Sequence, residues 1–469
     1  MYKLRNYYRS QGYNFASENY YNYIDKWNQW YQGKVADFHD YTVYNGKDIV
    51  KIEMKKLCMA KKICEDKAGF IINDRLQFNI DKTVEKVVNE TLEKNNFLVE
   101  SSQLLEKIYA LGTGAMVQFL DANGNVIIDY VSAYNIIPLC QGNENKVNKI
   151  AFVSKIDDEA YYVSEHTLIT DMTTQEFGSW VIENYKAKVS DGCDELVYLE
   201  LTDEEISSGV YTPYYSPVPL FQIIKPNIAN NIDINSKLGI SCFANALDQL
   251  QSVDITYDSY VEEIQNGKSR IFVNEEMATI QFDENGNPMQ YFDKKDTTFY
   301  SMKMGKDSKE NIIHDTPDLR TNELSQAICD MLSMLSFKVN LGNGYYNFKD
   351  GTVEKTATEV ISEDSDLYRQ VKKDEMVIDN ALVSMVKAIL HLKGQDATKD
   401  ISIKFDDSIV QDDTQIMQDA LLELNSGVID RIEYYQRVYK MSEEEAIELD
   451  KKIEARKPKQ DPSEVIDFE

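Results

Sequence analysis

The chain has 469 residues, of which 43% are hydrophobic and 11% aromatic, and its formal net charge is −29. This length exceeds one ordinary hydrophobic core, and the composition is that of a folded protein, so two or more packed units are expected. The acidic balance argues against a protein that grips nucleic acid tightly, because such a surface neutralises phosphates and is normally basic.

The first half of the chain predicts an α+β body over residues 46–235. Residues 54–73 and 98–111 carry apolar side chains at helical spacing, and the second of these helices is expected to stop at Gly112. From Ala115 the period changes to two, which is typical of strands. Asp121-Ala-Asn-Gly-Asn125 predicts the first hairpin turn.

A long helix is predicted from Gly239 to Gly267, and it carries Asp254, Asp258 and Glu262 at steps of four residues. The plain interpretation of these three acids is a solvated helix face. The functional interpretation is a line of negative charge along a channel, past which a polyanion slides without sticking.

Residues 270–313 return to strand periodicity and carry nearly balanced charge, which predicts a small β module. Asp315-Thr-Pro317 then predicts the start of a second long helix, because a capping hydroxyl precedes a proline at the first helical position. A glycine-rich loop follows, with Gly342, Gly344 and Gly351. Beyond it, one helix is expected to run to about Leu390, then a strand over 401–405, and three shorter helices before a mobile end.

Nothing in the sequence converges on a catalytic site. The four histidines are isolated from one another, and no G-x-S-x-G motif occurs. Asn266-Gly-Lys-Ser269 is no phosphate-binding loop, because Glu262 occupies the position of the first glycine. Catalytic residues, metal ligands and cofactors are therefore all predicted to be absent.

The cysteines and the lengths of the apolar runs indicate where in the cell the protein is expected. Six cysteines are scattered without a C-x-x-C pair, which indicates buried thiols in a reducing compartment. The polar start predicts no signal peptide, and no apolar run reaches about 18 residues, so no contact with a membrane is expected.

Thr356-Ala-Thr-Glu-Val360 followed by Ser365-Asp-Leu-Tyr-Arg369, just after the glycine-rich loop, resembles the portal proteins of tailed bacteriophages, in particular those of phages of Gram-positive hosts. The order of long helix, β module and long helix is similar to the helix–clip–helix pattern of that family. The resemblance implies an α+β portal fold. Its implied parts are a wing (1–238), a first stem helix (239–267), a clip (268–314), a second stem helix (315–341), a tunnel loop (342–354), a long spine helix of the wing (355–399), and a helical crown with the C-terminal tail (400–469).

The resemblance also implies a non-enzymatic subunit of a ring of about twelve copies at one capsid vertex, assembled in the host bacterial cytoplasm and retained in the virion. Double-stranded DNA would pass through the ring without sequence preference. The implied partners are the terminase large subunit, a head-completion adaptor, and the major capsid and scaffolding proteins. The alternatives are a DNA-packaging enzyme with an unrecognised site, or a ring-forming phage adaptor protein without the helix–clip–helix core.

Three sets of residues follow from the resemblance. The channel-lining stem is expected to present Asp254, Asp258 and Glu262. In the tunnel loop, Tyr345, Tyr346 and Phe348 are expected to lie against the duplex, with Lys349 as the cation; the alternative is that Tyr345 and Phe348 pack inward as anchors. The complete loop set is Gly342, Asn343, Gly344, Tyr345, Tyr346, Asn347, Phe348 and Lys349, and the clip set is Lys268, Arg270, Lys294, Lys295, Lys303 and Lys306.

Overall fold

A computed structural model describes most of the chain. The described residues are 1–44, 46–139, 147–157, 159–171, 173, 176, 178–234, 236–274, 281–282, 288–289, 299–302, 312–347, 357–405, 413–439, 441 and 443–456. They form two compact units, Met1–Lys404 and Phe405–Glu469.

The helices of the first unit are α1 (Tyr2–Ser10), α2 (Glu18–Tyr31), α3 (Met59–Gly69), α4 (Lys82–Lys94), α5 (Phe97–Leu111), α6 (Asp203–Ser207), α7 (Leu247–Asn266), α8 (Thr321–Lys338) and α9 (Ala357–Leu392). The helices of the second unit are α10 (Asp413–Ser426), α11 (Arg431–Tyr439) and α12 (Glu443–Arg456). No helix in the described ranges is both long and apolar enough to cross a membrane.

The strands before α7 are β1 (Asp40–Tyr44), β2 (Ile49–Glu53), β3 (Gln77–Ile80), β4 (Gly114–Leu120), β5 (Val126–Ser132), β6 (Ile136–Leu139), β7 (Lys149–Lys155), β8 (Ala160–Leu168), β9 (Trp180–Val189), β10 (Leu196–Tyr198), β11 (Tyr214–Ser216) and β12 (Phe221–Ile224). The strands after α7 are β13 (Arg270–Asn274), β14 (Gln281–Phe282), β15 (Pro288–Met289), β16 (Phe299–Met302), β17 (Ile312–Asp315) and β18 (Ile401–Lys404).

Two antiparallel sheets build the body of the first unit. One has the strand order β10-β9-β8-β7-β6, with β11 also beside β9, and the other has the order β12-β4-β5. Because side chains alternate between the faces of a strand, the larger sheet buries apolar residues on both sides. One face packs with the smaller sheet and α9 through Phe152, Trp180, Phe221 and Ala388. The other face packs against α1 through Leu4 and Tyr8.

The hairpin predicted around residues 121–125 is confirmed. β4 and β5 pair in register across it, and the backbone N–H of Asp121 donates to the carbonyl oxygen of Asn125 at 2.9 Å. The Asp121 carboxylate accepts the backbone N–H groups of Asn123 and Asn125. These local bonds account for the turn without a bound cation.

The predicted helix stop at Gly112 is also confirmed, and this position admits only glycine. Its φ of +85° lies in the left-handed region, and a Cβ placed there would lie 2.4 Å from the carbonyl oxygen of Gly239. The two backbones therefore touch, and this contact fixes the end of α5 against the segment that leads into α7.

The long helix predicted after the glycine-rich loop is α9, which spans 36 residues, about 54 Å at 1.5 Å per residue. In its second half, Leu382, Met385, Val386 and Ile389 are inaccessible to solvent. It packs on β12, β4 and β18 and beside α4.

Three boundaries differ from the sequence-based expectation. α8 begins at Thr321, because Asp315 still pairs with Arg270 as the last residue of β17. α7 begins at Leu247, because the preceding residues are held by α5: the Ser241 hydroxyl and the Cys242 N–H both donate to the carbonyl oxygen of Tyr109. β18 pairs with β3 and so belongs to the first unit.

Candidate functional site: the α7–α8 pair and the segment after it

The centre of the candidate site is a pair of packed helices, α7 and α8, with a small sheet between them in the chain. Leu250 and Val253 are buried on α7, and Leu332 and Leu335 on α8. In the small sheet, β13 runs parallel to β16 and antiparallel to β17. Because β13 and β17 are antiparallel, the chain enters the small sheet from α7 and leaves it towards α8 at the same end.

The acids of α7 do not form an exposed stripe. Asp254 is 3% exposed and Asp258 is 7% exposed. Asp254 accepts the backbone N–H of Leu57 at 2.8 Å, and Asp258 accepts the backbone N–H of Lys55 at 2.8 Å and the Tyr41 hydroxyl at 3.4 Å. The expectation that these two carboxylates face a channel is therefore corrected, because they bind the segment just after the β1–β2 hairpin.

The spacing of the two acids explains this arrangement. Four residues of α-helix advance about 6 Å along the axis, and two residues of extended chain advance about 6.6 Å. Carboxylates four residues apart on α7 therefore match the N–H groups of Lys55 and Leu57, which are two residues apart. We call this pair of contacts the carboxylate ladder. It attaches the base of the hairpin to α7.

His39 donates a further hydrogen bond to Asp254, one of the two acids of the carboxylate ladder. Its Nδ1 accepts the backbone N–H of Val35 at 2.9 Å, so the ring proton of this buried imidazole must be on Nε2. Nε2 then donates to Asp254 Oδ2 at 3.1 Å. Burial raises the pKa of the Asp254 carboxyl, and the donors from Leu57 and His39 oppose that effect.

Glu262, the third acid of the predicted stripe, is exposed. It lies about two turns beyond Asp254 on α7. Of the three predicted channel residues, Glu262 is the one whose carboxylate reaches solvent in the described chain.

An exposed ion pair joins α7 to the start of α8. Arg320 Nη2 lies 2.8 Å from Glu263 Oε2, and Arg320 Nε donates to Oε1 at 3.1 Å. A Cβ at Gly267 would lie 1.9 Å from the Leu319 side chain, so the residue after α7 and the residues before α8 are in close contact. The bonds from Arg320 lower the pKa of Glu263 from 4.5 to about 2.

The depressed pKa of Glu263 gives a prediction. A carboxyl whose pKa is lowered by folding stabilises the folded state above its unfolded value of about 4.5, and loses that contribution as pH falls towards 2. In Arg320→Met, the pKa of Glu263 is expected to return to about 4.5, measured by the carboxyl carbon shift in an NMR titration. Lys338→Met, at the far end of α8, is the control and is expected to leave the pKa of Glu263 unchanged. Titration of Glu263 near pH 4.5 in the unsubstituted protein would contradict the ion pair.

The segment after α8 folds back onto α3. Tyr346 is buried, its hydroxyl donates to Asp66 Oδ2 at 2.9 Å, and its backbone N–H donates to the hydroxyl of Ser336 at 3.2 Å. The expectation that Tyr346 lies against DNA is therefore wrong, since this ring is an anchor within the unit. Tyr345 is half-exposed and meets Phe70 edge to face, with ring centroids 6.1 Å apart.

The remaining predicted site residues divide by position. Gly342 and Gly344 have φ of +86° and +81°, so the predicted glycine-rich turn is present, with Asn343 and Asn347 exposed. Lys268 is exposed and Arg270 begins β13. Phe348, Lys349, Lys294, Lys295, Lys303 and Lys306 lie outside the described residues.

Among the described side chains, no group of three or more His, Cys, Asp or Glu is placed to hold a metal ion. The buried histidines have other roles. His39 belongs to the carboxylate ladder, and His166 lies among Phe152 and Phe221, where burial lowers its pKa to about 3.

Comparison with known proteins identifies the family. The profile described as "Phage portal protein, SPP1 Gp6-like" matches residues 14–459. No curated protein matches. Two similar solved structures are described as "Virion of native gene transfer agent (GTA) particle" and "Neck of native GTA particle computed with C12 symmetry", each 10% identical and covering 80% of this chain and 86% of the other, with TM-scores of 0.38 and 0.36. Because the family profile spans nearly the whole sequence, this chain belongs to the SPP1 Gp6-like family of phage portal proteins.

Proposed function

We propose that this chain is a structural, non-enzymatic portal subunit that closes into a ring of twelve at one capsid vertex. The ring is the channel through which double-stranded DNA is packaged and ejected, and the subunit resides in the virion. The observation that carries the proposal is the α7–α8 pair with its small sheet, found in a chain of the portal family. Identical subunits joined head to tail close a ring when their rotation closes.

The surface of the helix pair supports a ring. Ile255 and Ile264 on α7 and Met334 and Phe337 on α8 are exposed, and Phe337 is 70% exposed. Met334 and Phe337 are three residues apart and share one face of α8, and an exposed apolar pair of this size indicates contact with another protein. In a ring, the helix pair of a neighbouring copy would cover this surface.

Different parts of the subunit bind different partners. Residues 268–314, which include Lys268 and Arg270, dock the terminase large subunit during packaging and a head-completion adaptor afterwards. The body built on the larger and the smaller sheet contacts major capsid and scaffolding proteins. Residues 342–354 follow α8 and lie next to the channel, with Tyr346 as their inner anchor.

Within the channel, Glu262 is the acid proposed to repel the phosphates of passing DNA. Glu262→Lys is expected to lower packaged DNA per assembled particle several-fold, because twelve added cations attract the duplex and retard it. Glu90→Lys, an exposed position on α4 in the body, is the charge-matched control. The readout is DNA protected from nuclease, normalised to particle number. Equal loss in both variants, or no loss in either, would remove Glu262 from the channel.

A further inference from the structure

The far end of the β1–β2 hairpin carries exposed apolar side chains. The carboxylate ladder holds the base of the hairpin on α7, and the Tyr41 hydroxyl reaches Asp258 at 3.4 Å. At about 3.3 Å per residue, Tyr44 lies about 10 Å beyond Tyr41 on β1. The end of the hairpin therefore extends beyond the contacts that attach the hairpin to α7.

Four large side chains at this end are exposed to solvent. Val43 on β1 and Val50 on β2 lie opposite each other and are 41% and 40% exposed. Tyr44 and Ile49 form the next pair and are 66% and 75% exposed. We call these four side chains the hairpin tip.

The pairing register distributes the hairpin tip over both faces of the hairpin. Residues directly opposite each other in an antiparallel pair share a face, and successive residues of a strand alternate between faces. Val43 and Val50 therefore lie on the face of Tyr41, which is turned towards α7 at the base. Tyr44 and Ile49 lie on the other face. The end of the hairpin is thus apolar on both sides.

This other face is polar near the base, as the solvated face of an antiparallel sheet usually is. Its two pairs there are Asp40 opposite Glu53 and Thr42 opposite Lys51. Contacts across the two strands leave the outer sides of the hairpin tip exposed, and an isolated two-stranded hairpin is only marginally stable in water. An exposed apolar end of this kind indicates a surface that another protein encloses.

Charge narrows the choice of partner. Residues 47–56 carry four lysines and two acids, whereas the whole chain has a net charge of −29. This local excess of positive charge favours an acidic partner. The backbone of a DNA duplex is acidic, but its phosphates offer no apolar contact for the hairpin tip. A second copy of this chain offers both an acidic surface and exposed apolar side chains, such as Ile255 and Ile264 on α7.

The attachment of the hairpin also favours a second copy. Its base is bound to α7, the helix that carries part of the exposed apolar surface assigned above to contact between neighbours. A head-to-tail contact joins two different surfaces, so each copy must present one surface that its neighbour receives. An apolar end that extends beyond α7 is suited to that role.

We propose that the hairpin tip inserts into an apolar groove of the neighbouring copy in the ring. The inference rests on the proposed function, since it requires a ring. Val43 and Val50 contact one wall of the groove, Tyr44 and Ile49 contact the other, and acids at the rim of the groove lie near the lysines of residues 47–56. Every copy makes this contact with the next one, so loss of the hairpin tip weakens every interface of the ring.

Ile49→Asp tests the insertion, because it places a carboxylate in an apolar groove with an acidic rim. The side chain is exposed in the single chain, so the stability of the unassembled chain is expected to change little. The protein concentration at which half of the full-length chains are assembled is measured by sedimentation over a dilution series, and it is expected to rise about tenfold or more. Ile206→Asp adds the same charge at an exposed apolar position on α6, and this control is expected to assemble like the unsubstituted protein.

A photocrosslink identifies what the hairpin tip contacts. Tyr44 is replaced by p-benzoylphenylalanine, an aromatic amino acid that bonds covalently to nearby C–H groups under near-ultraviolet light. Rings formed from isotopically light and heavy chains are irradiated with duplex DNA present, and the crosslinked peptides are analysed by mass spectrometry. Peptides that join a light chain to a heavy chain are expected. The same replacement at Tyr198, which is 65% exposed on β10, is the control and is expected to give far fewer.

The outcomes separate this inference from the proposed function. If the unsubstituted chain forms the ring, equal assembly of Ile49→Asp and Ile206→Asp, or equal loss in both, would overturn the inference and leave the proposed function intact. Crosslinks from residue 44 only within one chain, or only to DNA, would overturn it in the same way, because the chain itself or nucleic acid would then cover the hairpin tip. Failure of the unsubstituted chain to form any ring would overturn the proposed function, and this inference with it.

Discussion

Asp254→Ala is expected to lower the free energy of unfolding by about 2–6 kcal/mol, because two hydrogen-bond donors lose their acceptor. The substitution leaves His39 Nε2–H and the Leu57 N–H buried without an acceptor, and each such group costs about 1–3 kcal/mol. Urea unfolding of the purified chain measures the change. Glu262→Ala, on the same helix but exposed, is the control and is expected to change stability by less than about 0.5 kcal/mol.

Asp254→Asn separates the hydrogen bonds from the volume of the side chain. The amide can still accept the Leu57 N–H, but its NH2 group then faces His39 Nε2–H, and two donors meet. The ring cannot take the other tautomer without losing the Val35 N–H. An effect of Asp254→Asn clearly above that of Glu262→Ala is therefore expected. Equal, small effects of all three substitutions would mean that the carboxylate ladder does not hold the hairpin.

Tyr346→Ala is expected to cost about 3–5 kcal/mol, the usual loss for emptying a buried aromatic site. The ring fills space against α3, and its hydroxyl and backbone N–H tie the segment after α8 to Asp66 and Ser336. Without that anchor, amide hydrogen exchange of residues 339–347 is expected to rise strongly. Mass-spectrometric exchange measures the local effect, and urea unfolding measures the total.

Two matched substitutions define what Tyr346 contributes. Tyr346→Phe removes the hydroxyl and keeps the ring, so a cost of about 1 kcal/mol is expected, the net worth of one hydrogen bond. Tyr345→Ala truncates the half-exposed neighbour and is expected to cost clearly less than Tyr346→Ala. Similar exchange rates for residues 339–347 in Tyr346→Ala and Tyr345→Ala would show that the buried ring is no anchor.

The acids of α7 show where sequence-based reasoning fell short. Their spacing of four residues places them along one side of the helix, and such a row can either face solvent or bind an extended segment. One signal was available: Asp254 lies four residues after Leu250, which is only about 40° around the helix from a buried side chain. The partner could not be predicted, because Lys55 and Leu57 use backbone N–H groups, which every residue type shares.

Elements with a strong local signal were predicted well. The turn at residues 121–125, the stop at Gly112 and the long helix α9 each depend on neighbours in the sequence. α1 was missed, because its few buried side chains, such as Leu4 and Tyr8, become apolar contacts only when the larger sheet lies beneath them. The start of α8 was misplaced because pairing of Asp315 in β17 outweighs the capping signal at Thr316 and Pro317.

The native mass of the purified full-length chain, measured by mass photometry and followed by negative-stain imaging, tests the central claim most directly. Twelve copies of the 54.0 kDa chain give 648 kDa, and a species of that mass with a central hole is the predicted result. A ring of thirteen would support the same function, because the same head-to-tail contact closes with one more copy. A stable dimer would contradict the portal ring, since a two-fold pair uses one surface twice and cannot form a channel.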